Sequence, residues 1–329
     1  MKMSRRIFFF DIDGTICKHN QVSPRVKKAI NDIQAKGDIC FVASGRPLTF
    51  LQEQVKEIGF DGYLLFNGAY VVSGDEVIYE VKMDPKEVKE LITYLREHNC
   101  EYILQNAYKN QIHTEFTRLF DFFKDLVKVD VSGFIREFDE EEVIQDILKV
   151  EIWPDNADVC QPLIDRFPNF TWHQYESLNM EVCIKGISKA WGIKKVIEHF
   201  NIDQKNTYCF GDGPNDLEMF ATIENSYCMD NADDYAIKAL RNLGYKVASS
   251  SLMDVYQQNV DYFIYDINKG VNVLSKLIEV TKEFEIELIL SGVNTKEEIE
   301  ILKQFDINYF YGNFYKKSIR MKKVIEKIS

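Results

Sequence analysis

Along the chain, short unbroken apolar runs alternate with amphipathic stretches. Ile7–Phe10, Ile39–Ala43, Tyr63–Phe66 and Thr207–Phe210 are runs of four or five residues bounded by turn-forming residues. Such runs predict strands buried on both faces, as in a parallel sheet. Between them, Ser23-Pro24 places a capping side chain before a proline at the first helical position. The helix it starts is expected to run to about Ala35, with Gly37 as its stop. Further helices are expected from about Leu48 to Ile58, over Ile193–Phe200 and from Leu217 to about Ala221. Tyr70–Val81 reads as a hairpin turning at Ser73-Gly74-Asp75. Strands alternating with helices predict βαβ units, hence an α/β fold with a doubly wound parallel sheet.

From Asp84-Pro85 to about Lys185 the pattern changes. A helix over Lys86–His98 leads into short strands near Glu101–Gln105 and Gln111–Thr114. A Phe-rich stretch, Phe116–Phe123, precedes an acidic helix start at Asp139–Glu142, and strands follow near Val150–Trp153 and Asn179–Ile184. This is a separate α+β module inserted into the α/β core. Its aromatics Phe116, Phe120, Phe122, Phe123, Trp153 and Trp172 are expected to form its own core. After a strand and helix within Asp261–Ile278, the last fifty or so residues read as strand Glu285–Leu290, helix Thr295–Phe305, strand Ile307–Phe314 and a basic helix Lys316–Ile328. The organisation is therefore 1–82 with 186–280 as core, 83–185 as insert, and 281–329 as a short βαβα C-terminal extension.

Chemistry concentrates where the first strand ends. Asp11-Ile12-Asp13-Gly14-Thr15 sets two carboxylates at i and i+2 at the strand's carboxyl end, where open α/β sheets keep their sites. An isolated Asp-x-Asp is usually a solvated turn or a cap. Like charges this close are costly unless a cation compensates them, and after an apolar strand they favour a metal-assisted carboxylate nucleophile. Composition narrows the rest. The 329-residue chain is 46% hydrophobic with a net charge of -12, which argues against nucleic acid or an anionic membrane as partner. Seven scattered cysteines without a Cys-x-x-Cys pair read as reduced thiols, with neither disulfides nor zinc expected. Met1–Arg6 is too short and polar for a signal peptide, and no apolar run spans a membrane, so the expectation is cytoplasmic. Oligomeric state is left open.

The pattern Asp11-x-Asp13-Gly14-Thr15 resembles the first motif of the haloacid dehalogenase (HAD) superfamily of phosphohydrolases. Ser44-Gly45-Arg46-Pro47 is similar to the second motif, Gly186-Ile187-Ser188-Lys189 to the third, and Gly211-Asp212-Gly213-Pro214-Asn215-Asp216 to the acidic fourth. Asn67-Gly68-Ala69 matches a signature of the Cof-like branch. The resemblance covers about residues 5 to 280 and implies a Rossmann-like core whose insert is a large cap that selects substrate. It implies Asp11 as nucleophile and Asp13 as general acid/base. Ser44 and Gly45 would hold the phosphoryl group, with Asn215, and Lys189 would pair with Asp11 and the phosphate. Mg²⁺ would be held by Asp11, Asp212 and the Asp13 backbone carbonyl; Asn215 and Asp216 would orient that shell, with Asp216 open as a direct ligand. Arg46 is open between a phosphate contact and a salt bridge. Asp230 stands where the family usually has glycine.

The implied function is Mg²⁺-dependent hydrolysis of a small phosphate ester, such as a sugar phosphate or phosphorylated cofactor, through an aspartyl-phosphate. A phosphomutase, or a regulatory protein that kept the fold and lost the chemistry, are the alternatives. Ser291-Gly292-Val293-Asn294-Thr295 and Tyr311-Gly312-Asn313-Phe314 resemble the last two units of an EAL-type cyclic-dinucleotide phosphodiesterase barrel. Ser291 replaces a functional glutamate there and most of the barrel is absent, so the extension reads as a structural tail.

Overall fold

A computed structural model describes residues 5–18, 20–174, 178–229, 248–249, 262–267, 273–293, 295–302, 304–305, 307, 309–312 and 315–320. Asp230 and the chain beyond Arg320 lie outside the described residues. Contacts divide the chain into two compact units, residues 1–211 with 218–227, and residues 212–217 with 228–329.

Among its described residues the first unit holds two large sheets and a two-stranded ribbon, Cys17–Lys18 with Gln21–Val22. The larger is built on β1 (Ile7–Phe10), β2 (Ile39–Ala43), β3 (Gly62–Leu65), β4 (Tyr70–Ser73) and β5 (Glu76–Glu80), with two later strands, Thr207–Gly211 and Asn225–Cys228, on the other side of β1. Strand Thr207–Gly211, β1, β2 and β3 run parallel; β4 and β5 return antiparallel as the expected hairpin. Phe10 is in register with both Val42 and Phe210, so all three strands end together. Every residue of β1 and β2 is buried, as helices on both faces require. Phe8 and Phe10 pack in the cluster that holds Ile30 of α1 (Pro24–Gln34). Phe41 meets Phe9 and Phe200 instead, the latter from helix Lys189–Phe200. Ser23 Oγ caps α1 by accepting the Val26 N–H at 3.2 Å.

One core expectation changes. Leu48–Ile58 is not one helix but a 3₁₀ turn, Leu48–Phe50, and a short helix, Glu53–Lys56, separated by extended backbone at Leu51 and Gln52. The reason is packing. Successive residues Phe50 and Leu51 are both buried, in different clusters, and one helical face cannot serve both.

The second sheet is the insert's. Its strands are β6 (Glu101–Gln105), β7 (Asn110–Gln111), β8 (Lys149–Trp153), β9 (Phe170–Gln174) and β10 (Met180–Ile184), in the order β9-β10-β8-β6-β7 and antiparallel throughout. Tyr102, Leu104, Val150, Ile152, Met180 and Val182 face α2 (Pro85–Glu97) and the helix Cys160–Arg166. Alternate positions carry Gln105, Lys149, Glu151, Glu181 and Cys183, all buried, so the other face is polar over that patch, with Ile103 beside it. β9 and the Cys160–Arg166 helix had no clear sequence signal. The Phe-rich stretch is helix Thr117–Asp121 running into a π-helical turn, Phe122–Val127.

The second unit contains a five-stranded sheet, in which Ala248–Ser249, Tyr262–Asp266, Glu287–Ser291 and Tyr309–Gly312 run parallel and Tyr315–Arg320 antiparallel at the edge. The strand expected to close the core, within Asp261–Ile278, thus belongs to this sheet. Leu288 and Leu290 pack with Leu274 and Leu277 of helix Leu274–Glu283. Tyr315–Arg320 is a strand where the sequence suggests a basic helix. Pairing with the open edge of Tyr309–Gly312 satisfies its backbone groups and overrides helix propensity.

Candidate active site

Asp11 stands one residue beyond β1, and its N–H still donates to the Phe210 carbonyl at 2.9 Å. Ser44 stands one residue beyond β2, with its N–H on the Leu64 carbonyl at 2.8 Å. Asp212 is bonded to Gly211, the last residue of the neighbouring strand. The three strands that end in step therefore deliver three candidate residues to one sheet end.

Lys189 Nζ donates to Asp11 Oδ1 at 2.6 Å, with Lys189 1% and Asp11 8% exposed. Each group offers the opposite charge that the other, if charged and buried alone, would lack. Two devices place the lysine. It is the first residue of its helix, capped by Ser188 Oγ accepting the Trp191 N–H at 3.4 Å. The helix also approaches the Phe66–Gly68 turn closely: a Cβ on Gly68 would lie 2.3 Å from the Ser188 carbonyl, and one on Gly192 2.9 Å from Gly68 Cα. Phe66, Asn67 and Gly68 all have positive φ, at 51°, 52° and 99°. The Asn67-Gly68-Ala69 signature thus has a physical meaning: it is the seat of the helix that carries Lys189.

Asp13 is half-exposed and gripped by Arg46, whose Nε donates to Oδ2 at 2.6 Å and Nη2 to Oδ1 at 3.0 Å. Of the two roles open to Arg46 in the sequence, the structure contains the salt bridge. Ser44 is buried and its Oγ accepts the Arg46 N–H at 3.2 Å. Gly45 leaves room for the Asn67 amide, whose Oδ1 would sit 2.9 Å from a Cβ there. In the 212–217 loop, Asp216 is fully buried and its Oδ2 accepts the N–H of both Asp212 and Gly213 at 3.0 Å. Asn215 is exposed on the same 3₁₀ turn, with its Oδ1 against Gly213.

Asp212 and Asp216 bring two carboxylates together on one loop, and Asp11 offers another at the end of β1. An all-oxygen, anionic donor set fits a hard divalent cation and suits no soft metal.

Sequence reasoning missed a second charged group on the insert's polar face. Lys149 Nζ lies 2.8 Å from Glu151 Oε1 and 3.4 Å from Glu181 Oε1, all three side chains being buried. Burial opposes the Lys149 ammonium, but the two carboxylates outweigh it and its pKa is raised. Burial also raises Glu151, only partly offset by Lys149. The group touches the core: Lys149 Nζ donates to the Gly45 carbonyl at 3.2 Å and Asn67 Nδ2 to Glu181 Oε1 at 3.1 Å. The available signal was Lys149-x-Glu151, charges at period two in an otherwise apolar strand.

Fold and site together define a class: capped α/β enzymes with a buried carboxylate–lysine pair at the carboxyl end of a parallel sheet. The family model of haloacid dehalogenase-like hydrolases matches residues 8–255. The chain belongs to that family, in its Cof-like branch, and is a phosphatase. It is 30% identical over 234 residues to "Putative phosphatase YkrA" of Bacillus subtilis (strain 168), covering 70% of this chain and 88% of that protein. It is 24% identical over 255 residues to the 5-amino-6-(5-phospho-D-ribitylamino)uracil phosphatase YitU of the same organism, covering 74% and 92%. Among solved structures, a hypothetical protein from Geobacillus kaustophilus HTA426 matches with a TM-score of 0.64 at 27% identity, over 71% of this chain and 91% of that one. Among the described residues no helix is long and apolar enough to cross a membrane.

Proposed function

We propose that the protein is a Mg²⁺-dependent phosphomonoester hydrolase for small phosphorylated metabolites, working through an aspartyl-phosphate on Asp11. The observation that carries this reading is the buried Asp11–Lys189 pair at the carboxyl end of a parallel sheet. Asp11, Asp212 and the Asp13 backbone carbonyl would hold the ion, with Asp216 fixing the loop or adding a fourth oxygen. When bound, Mg²⁺ supplies charge neutralisation, allowing an anionic carboxylate to approach an anionic phosphate.

The chain's own residues do the rest. Lys189, already on Asp11, is in place to share its charge with the incoming phosphate. The Ser44 hydroxyl, the backbone around Gly45 and Asn215 would hold the phosphoryl oxygens. An Asp11 oxygen attacks phosphorus, and the bond to the leaving oxygen breaks as Asp13 gives that oxygen its proton. Asp13, now ionised, takes a proton from water as the water attacks phosphorus and the bond to Asp11 breaks, which releases phosphate and restores both aspartates. Proton transfer of this kind contributes roughly 10²- to 10⁴-fold.

Residues 83–185 would act as the cap, choosing among leaving groups and excluding water. A relative that acts on a phosphorylated ribityl compound supports a small, hydroxylated substrate. The test is phosphate release from p-nitrophenyl phosphate and a panel of metabolite phosphates. Release with Mg²⁺ that stops in EDTA and returns on adding Mg²⁺ is the expected result; undiminished release in EDTA would contradict it.

A further inference from the structure

The segment between Gly45 and Phe50 joins the phosphoryl-side loop to the cap. The cap touches it at three points: Lys149 Nζ on the Gly45 carbonyl at 3.2 Å, Asn110 Nδ2 on Thr49 Oγ1 at 2.8 Å, and an aromatic socket around the Phe50 ring. Phe50 is 5% exposed, yet the buried residues clustered with it (Ile103, Ile112, Leu119, Phe123, Val129 and Phe134) all come from the cap. Its ring stacks on Phe134, with centroids 5.7 Å apart and planes 6° from parallel, and lies 5.0 Å from Phe123.

The same residue faces the chemistry through its backbone. Its carbonyl accepts from Arg46 Nη1 at 3.2 Å, while Arg46 Nε and Nη2 hold the two oxygens of Asp13. A guanidinium is a rigid planar fork, so a third anchor fixes the plane from which the other two bonds are directed.

We infer that Phe50 is a positioning residue: with its ring seated in the cap socket, its carbonyl sets Arg46, and Arg46 aims Asp13. Proton delivery to the leaving oxygen is then competent only when the cap is in place. The inference rests on Asp13 as the acid/base. It explains why an apolar side chain occupies a loop three residues beyond Pro47 that would otherwise be expected to be polar.

The test compares kcat/KM for p-nitrophenyl phosphate, whose phenolate departs without a proton, with that for an alkyl phosphate, whose alkoxide needs one. The ratio of the two in one sample cancels any loss of folded enzyme. Asp13→Asn is expected to lower the alkyl ester by about 10²-fold or more relative to the aryl ester. Phe50→Ala is expected to shift the ratio in the same direction by about tenfold, Phe50→Leu to restore most of it, and Phe50→Ala in an Arg46→Ala background to shift it no further. Equal losses on both esters in Phe50→Ala, or a further shift in the Arg46→Ala background, would overturn the inference. An unchanged ratio in Asp13→Asn would strike the role of Asp13 and with it this one; a shift in Asp13→Asn alone would strike only Phe50.

Discussion

The Asp11–Lys189 contact pairs a buried charge and, in the proposed mechanism, sets a cation beside the nucleophile. Removing the cation alone leaves the carboxylate in a dry site, which typically costs about 3–5 kcal/mol when a buried pair is broken. Lys189→Met should therefore melt earlier and turn over at least about a hundredfold more slowly, as thermal unfolding and steady-state rates would show; wild-type values in both would contradict the pairing. Asp11, Asp13, Asp212 and Lys189 were legible in the sequence because each is a charged residue at the end of an apolar run or the start of a helix. The partner of Asp13 was not legible. Arg46 lies 33 residues away and its two candidate roles differ only by a side-chain rotation. Phe50 was invisible for a similar reason: nothing local tells a phenylalanine that its socket lies in another module.

At the scale of elements, the strands and α1 followed their patterns because strong burial and a capping residue agree there. The Leu48–Ile58 helix failed because tertiary packing pulled adjacent side chains apart. Gly68 shows how an element is seated. A methyl group there meets a backbone carbonyl at 2.3 Å and a φ of 99° that L-residues avoid. Gly68→Ala should destabilise by roughly 2 kcal/mol or more and also lower kcat by displacing Lys189, since the clash falls on the turn preceding it. A loss of stability with kcat intact would argue against that coupling. On the cap, Lys149 holds together two carboxylates that face each other across paired strands, Glu151 opposite Glu181. Lys149→Met should cost about 3–5 kcal/mol, and adding Glu181→Gln should recover part of it. The sign of the pH dependence follows from the raised Lys149 pKa. Its stabilisation is complete below the unfolded value of 10.5 and is lost as pH rises through the higher folded value. Wild type should thus lose stability above about pH 10.5 more steeply than Lys149→Met.

For the whole molecule, the α/β core and its inserted α+β cap were readable from the switch between strand–helix alternation and the changed pattern after Asp84. The C-terminal region was only partly readable. Strand Tyr262–Asp266 carries no mark of which sheet it joins, and Tyr315–Arg320 is a strand because a sheet edge was available. The chemistry proposed for the molecule makes one demand that no packing argument can meet in its place: turnover must pass through the Asp11 carboxylate. Asp11→Asn changes one oxygen to nitrogen at the strand end and keeps the side chain's size, so the fold should persist. The decisive measurement is phosphate release by this variant in Mg²⁺, with circular dichroism confirming that it is folded. A fall of at least about a thousandfold is predicted; release near the wild-type rate from folded Asp11→Asn would contradict the account.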